Sequence, residues 1–151
     1  MSYTLEYVKT RYEEIKSKTD LIDSIVLQYE KMDFVDETSA KTFRKKISGA
    51  VAELSNYIKE SCALQIRSDE NVSFKKKQKW IEYRQNNSEK MSDAMVETNP
   101  EVIAAKEKYI EAYSTWKFLV AKIDSYFKVI DALSSELKGN QAHDRAIISE
   151  K

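Results

Sequence analysis

Glycine, proline and cysteine are almost missing from this chain. Two Gly (Gly49, Gly139), one Pro (Pro100) and one Cys (Cys62) stand among 151 residues. So few turn formers cannot serve the many turns of a sandwich, a barrel or a doubly wound sheet, and the expected fold class is all-α. A lone cysteine excludes an intramolecular disulfide and a cysteine-rich zinc site. Long apolar runs are lacking too: stretches such as Phe118 to Ala121 fall far short of the roughly 20 residues a membrane-spanning helix needs. The first residues, MSYTLEYVKTRYEE, are charged and amphipathic and do not read as a signal peptide. A cytoplasmic protein without a membrane role is the expectation.

Catalytic vocabulary is equally thin. His143 is the only histidine and falls in a polar stretch after Gly139, where it reads as a mobile surface side chain. Cys62, among apolar neighbours, reads as an inert buried thiol. There is no glycine-rich phosphate loop, no metal-ligand spacing and no Ser/His/Asp set, so no enzyme activity, metal or cofactor is expected.

Charge of either sign is abundant but cancels, with 25 basic and 25 acidic residues. A neutral total argues against indiscriminate nucleic-acid binding. The distribution is uneven: net −4 over residues 1–37, +6 over 38–90 and −2 over 91–151. Positive charge is gathered in the middle of the chain.

Apolar spacing supplies the helices. Leu5, Val8, Tyr12, Ile15, Thr19, Ile22, Val26 and Tyr29 alternate by three and four, which predicts a helix over about 3–32, with a break at 17–20 as the alternative. A second helix is expected over about 39–66, with Gly49 marking a close approach. Residues 67–72 (RSDENV) read as a loop, Ser73 as the cap of a third helix to about Tyr83, and 85–87 as an interruption before a short helix over 88–96. Asn99 and Pro100 start the last helix. Its stripe of Val102, Ala105, Tyr109, Ala112, Trp116, Leu119, Ile123, Tyr126, Ile130, Leu133 and Leu137 predicts a helix about 55 Å long, which Gly139 and Asn140 then stop. Residues 1–140 are read as one helical domain and 141–151 as a polar tail. So long a stripe, widened by Tyr113, Val120 and Phe127, predicts a homo-oligomer, with Tyr109, Trp116, Leu119, Ile123, Tyr126, Ile130, Leu133 and Leu137 at its interface.

The stretch FKKKQKWIEYR, starting at Phe74, carries the chemistry. On a helix Phe74 and Ile81 point one way and are read as core anchors, while Lys76, Trp80 and Tyr83 share another face with Arg84 beside them. Cations interleaved with rings suit single-stranded nucleic acid: fixed charge meets phosphates and flat side chains meet bases. The candidate contacts are Lys75, Lys76, Lys77, Lys79, Trp80, Tyr83 and Arg84. A second cluster of Lys41, Arg44, Lys45 and Lys46 would join them in one groove if the second and third helices packed side by side.

The order of these features resembles the UvsY recombination mediators of T-even-like phages. The residues that carry the resemblance are Lys75, Lys76, Lys77, Lys79, Trp80 and Tyr83, then Ser88, Glu89 and Met91, then Val102, Tyr113, Trp116 and Leu119, over roughly residues 74–137. The resemblance implies a closed oligomer built on the C-terminal helix and single-stranded DNA held by the central basic residues. It also implies help to a RecA-like recombinase in displacing a single-strand-binding protein, in the host cytoplasm if the chain is phage-encoded. A helical scaffold or chaperone that binds a protein through its apolar stripes is the alternative reading.

Overall fold

The computed structural model describes residues 3–149, with side chains described through Gly139. The chain is all-α. Among the described residues it has four helices and no strand: α1 (Leu5–Glu30), α2 (Glu37–Arg84), α3 (Glu89–Glu97) and α4 (Pro100–Ser149). None of these helices is long and apolar enough to cross a membrane.

Side chains set most of the ends. Thr4 accepts the Tyr7 amide at its hydroxyl, and Asp36 accepts the Ser39 amide at 2.6 Å, so α1 and α2 each begin on a capped turn. Ser88 caps α3 through the Met91 amide. Asn99 caps α4 through the amides of Glu101 and Val102, with Pro100 in the first helical position as expected. The interruption after Arg84 is present, and there the Asn87 amide group donates back to the Tyr83 carbonyl.

Two expected breaks do not occur, and neither does the alternative break in α1. α1 runs through residues 17–20, where Thr19 is fully buried and its hydroxyl donates to the Lys16 carbonyl. α2 runs through 67–72, because Leu64, Ser68 and Val72 continue its buried face at helical spacing and no Gly or Pro stands there to end it. Ser73 is therefore an exposed mid-helix residue and caps nothing. α4 passes Gly139 in right-handed conformation and continues to Ser149, so residues 141–149 are helix and no separate tail begins at Gln141. The side chain of His143 lies outside the described residues.

Packing divides the chain into two compact units: Met1–Glu13 with Tyr57–Phe118, and Glu14–Asn56 with Leu119–Lys151. In the first, Val8, Leu64 and Ala112 form a buried cluster with Tyr3 and Tyr7 against it. The Tyr7 hydroxyl donates to Glu60 at 2.5 Å, and Arg11 binds the same carboxylate oxygen at 3.1 Å. Cys62 is free and half-buried, not the buried thiol expected.

In the second unit Ile15, Ile22, Ile47, Leu54, Leu119 and Leu133 are the largest side chains fully out of water. Beside them, the buried Tyr126 hydroxyl lies 2.7 Å from Asp23 Oδ1 and 3.1 Å from the Thr19 carbonyl, and Lys122 closes on the other oxygen of Asp23 at 2.7 Å. Burial, then the Asp23 contact, hold the Tyr126 hydroxyl well above the ordinary tyrosine range. Burial and a hydrogen bond to Glu136 act the same way on Tyr29.

Gly49 has no heavy atom within 4 Å of where a Cβ would stand, so it marks no close approach. Gly49→Ala should therefore raise the free energy of unfolding by up to about 1 kcal/mol in urea titration, through the lost backbone freedom of the unfolded chain. A destabilised variant would disprove the open environment. A second outcome concerns alkali. Because the folded state keeps the Tyr126 proton above pH 10 and the unfolded state does not, stability should be intact below about pH 10 and fall above it. The slope should approach about 1.4 kcal/mol per pH unit for one retained proton. Tyr126→Phe should flatten that fall, and an unchanged slope would show that the hydroxyl does not carry it.

Candidate nucleic-acid interface

The C-terminal half of α2 places the predicted cations on two different faces. Ser61, Leu64, Ser68 and Val72 are its inward residues, and the same three-four spacing carries on to Lys75, Lys79 and Tyr83. Lysines that continue an inward stripe need carboxylates, and α3 and α4 supply them. Glu101, in the first turn of α4, lies 3.1 Å from Lys79 and 3.9 Å from Lys75; Glu82 adds a 3.2 Å contact to Lys79. Glu97, the last residue of α3, takes Lys76 at 3.4 Å and Lys106 more closely.

These contacts leave an electrostatic trace. The Lys79 ammonium is pushed above its ordinary value by the hydrogen bonds it donates to Glu101 and then Glu82. Glu97 is held below the usual carboxylate range by Lys106 and then Lys76, and Glu101 by Lys79. Both carboxylates are more than half exposed, so water screens the pairs and each contributes little to stability.

Trp80 is half-buried and faces α3. Its indole N–H donates to Asp93 Oδ1 at 2.9 Å. Trp80 and Val96 floor an open groove of about 570 Å³, with Lys76 and Lys77 on one wall and Asp93 and Glu97 on the other. Tyr83 is committed as well, its hydroxyl accepting from the Asn99 side chain at 2.6 Å.

The other face of α2 looks outward. Phe74 is 62% exposed and Ile81 51%, so they are not the core anchors expected. Their seven-residue spacing correctly put them on one face; the inward face is the one occupied by Val72, Lys75 and Lys79. Lys77 and Arg84 are exposed beside them, and neither has a carboxylate partner among the described residues. Arg84 donates only to the Asn87 carbonyl.

The second basic cluster lies at the other end of the same helix. Lys41 pairs with Glu37 at 2.8 Å, Arg44 is half-buried, and Lys45 and Lys46 are exposed. With residues 67–72 helical, the two clusters belong to one continuous element, so the side-by-side helices that would have merged them do not exist.

The expected oligomer interface is also placed differently. Leu119, Ile123, Tyr126, Leu133 and Leu137 are buried within the chain, and Tyr109, Trp116 and Ile130 are half-buried. That stripe is used by the chain's own helices. Among the described residues, the large apolar side chains that α4 leaves to solvent are Ile103, Ile110 and Tyr113 in the first unit and Val120 and Phe127 in the second. The chain matches no protein-family model, no curated protein and no solved structure.

Sequence reasoning missed Glu97 and Glu101 as partners of the lysines and Asp93 as the partner of Trp80. The signal was present: extending the Leu64, Ser68, Val72 spacing by one more turn puts Lys75 and Lys79 inward. Because Glu97 and Glu101 are depressed, their contribution is present above the ordinary carboxylate pKa and is lost as pH falls through the lowered value. The melting temperature should drop between about pH 6 and pH 3, and the Glu97→Gln/Glu101→Gln variant should lose part of that drop. Identical pH profiles for variant and wild type would rule the pairs out as its source.

Proposed function

We propose that this chain is a non-catalytic single-stranded DNA-binding accessory protein of recombination or replication, of the mediator kind its sequence resembles. The observation that carries this reading is the outward face of α2, where exposed Phe74 lies with Lys77 and Arg84, two cations free of carboxylate partners among the described residues. Phosphates need fixed charge that is not already matched, and an unpaired base needs an accessible ring. Phe74 takes the stacking role that the sequence pattern assigns to Trp80 and Tyr83, whose polar atoms are hydrogen-bonded to Asp93 and Asn99. Arg44, Lys45 and Lys46 offer further unmatched charge at the start of the helix.

A homo-oligomer would repeat this face and raise its avidity without any new contact. The large apolar side chains that α4 leaves in water offer one surface for self-association. The partners in this reading are single-stranded DNA, a RecA-like recombinase and the single-strand-binding protein it replaces.

Titration of a labelled oligothymidylate at several salt concentrations tests it. Binding should weaken with a log-log slope near about −3, which corresponds to about four neutralised phosphates. Lys77→Ala should make the slope shallower by about 0.7. Phe74→Ala should cost about 1 to 3 kcal/mol of affinity, as a lost stacking ring does. Absence of salt-dependent binding at low salt would remove the reading and leave the scaffold alternative.

A further inference from the structure

The cations that face inward on α2 are matched by carboxylates that come from one short segment. Asp93, Glu97 and Glu101 stand at four-residue intervals across α3 and the first turn of α4. They hold Trp80, Lys76 and the pair Lys75 and Lys79 in turn. Each is a monoanion presenting paired oxygens to an ammonium or an indole N–H, which is what a phosphodiester would present. Resting on the single-strand reading of α2, we propose that α3 is a carboxylate strap that occupies phosphate sites on this helix, and that a single strand engages the full face by displacing Asp93 and Glu97.

The strap is built to be replaceable. Its ion pairs are solvent-exposed, so an incoming polyanion competes with them on equal terms. At nine residues α3 is shorter than a helix that holds itself together in water. Only Ser92 and Val96 tie it inward by burial, while Met91 on its outer side is 53% exposed. Non-helical residues flank it on both sides, at 85–88 and 98–99. Asn99 caps α4 and binds Tyr83, so α4 keeps its start when α3 moves. Displacement uncovers Lys76, Lys106 and the indole of Trp80, and a second ring then becomes available to a base.

The full chain carrying Asp93→Asn and Glu97→Gln tests this against wild type on the same labelled oligothymidylate. A control with the same charge change elsewhere, Glu107→Gln with Asp131→Asn, removes the effect of net charge. The strap variant should show a slope steeper by about 1.4 and binding about ten- to thirtyfold tighter near 0.1 M salt, because two more phosphates are engaged. The control should not steepen. In wild type, adding the oligonucleotide should speed amide exchange in residues 89–97. A strap variant that binds tightly at a salt concentration where wild type binds only weakly would support the proposal. A variant that binds with wild-type affinity and slope, or α3 amides that become more protected with DNA, would overturn the strap while leaving the binding face intact. If neither protein binds, both readings fall.

Discussion

The inward stripe of α2 holds one register from Ala40 to Tyr83, and most of the molecule's chemistry follows from that continuity. Ile47, Val51, Leu54, Leu64 and Val72 keep it apolar for most of its length. From Lys75 onward the same positions turn basic without leaving the register. Helical periodicity does not consult polarity: once the upstream turns are packed, the next inward position is fixed by geometry whatever residue occupies it. Lysine side chains there must lie along the neighbouring helices and find an anion, or carry uncompensated charge into a partly desolvated position. Glu97 and Glu101 are therefore a consequence of the register as much as Val72 is. From residue 61 the inward positions recur every eleven residues, as in Leu64 and Lys75, Ser68 and Lys79, Val72 and Tyr83, a period that needs no left-handed supercoil to stay in contact.

This arrangement reconciles a neutral chain with a positive central region. The excess over residues 38–90 is partly cancelled by carboxylates from residues 91–151, and the cancellation is local. Among the described residues, the cations of the FKKKQKWIEYR stretch without a carboxylate partner are Lys77 and Arg84 on the outward face. A count of charges along the chain overstates the available positive surface, since it cannot tell a lysine facing a glutamate from one facing water.

Fold class, the Asn99–Pro100 start and the short helix after Ser88 were legible in the sequence because each rests on local chemistry: scarcity of turn formers, a capping side chain, a proline where no amide is missed. The failures share a different cause. Residues 67–72 look like a loop by composition, yet polar residues end a helix only when they interrupt its inward face, and Ser68 and Val72 do not. Gly139 looks like a stop, but glycine ends a helix by adopting a left-handed conformation that nothing here requires of it. Phe74 and Ile81 were placed on a common face correctly, and the error lay in which face turns inward. Apolar character favours burial in only one direction, since exposed apolar side chains are common on any protein.

The α4 stripe makes the same point about interfaces. An unbroken three-four pattern states that one face will be covered and leaves open by whom. Here α1 and α2 of the same chain cover it, as the Tyr126 contact with Thr19 and Asp23 of α1 and the cluster of Val8, Leu64 and Ala112 record. The residues set beside that stripe, Tyr113, Val120 and Phe127, remain half in water. If copies of the chain associate through α4, the contact falls to this second row, because using the first would strip the core from each protomer. Self-association then becomes a property that can be removed by polar substitution at Val120 or Phe127 without unfolding the chain, whereas the same change at Leu119 or Ile123 would act on stability first.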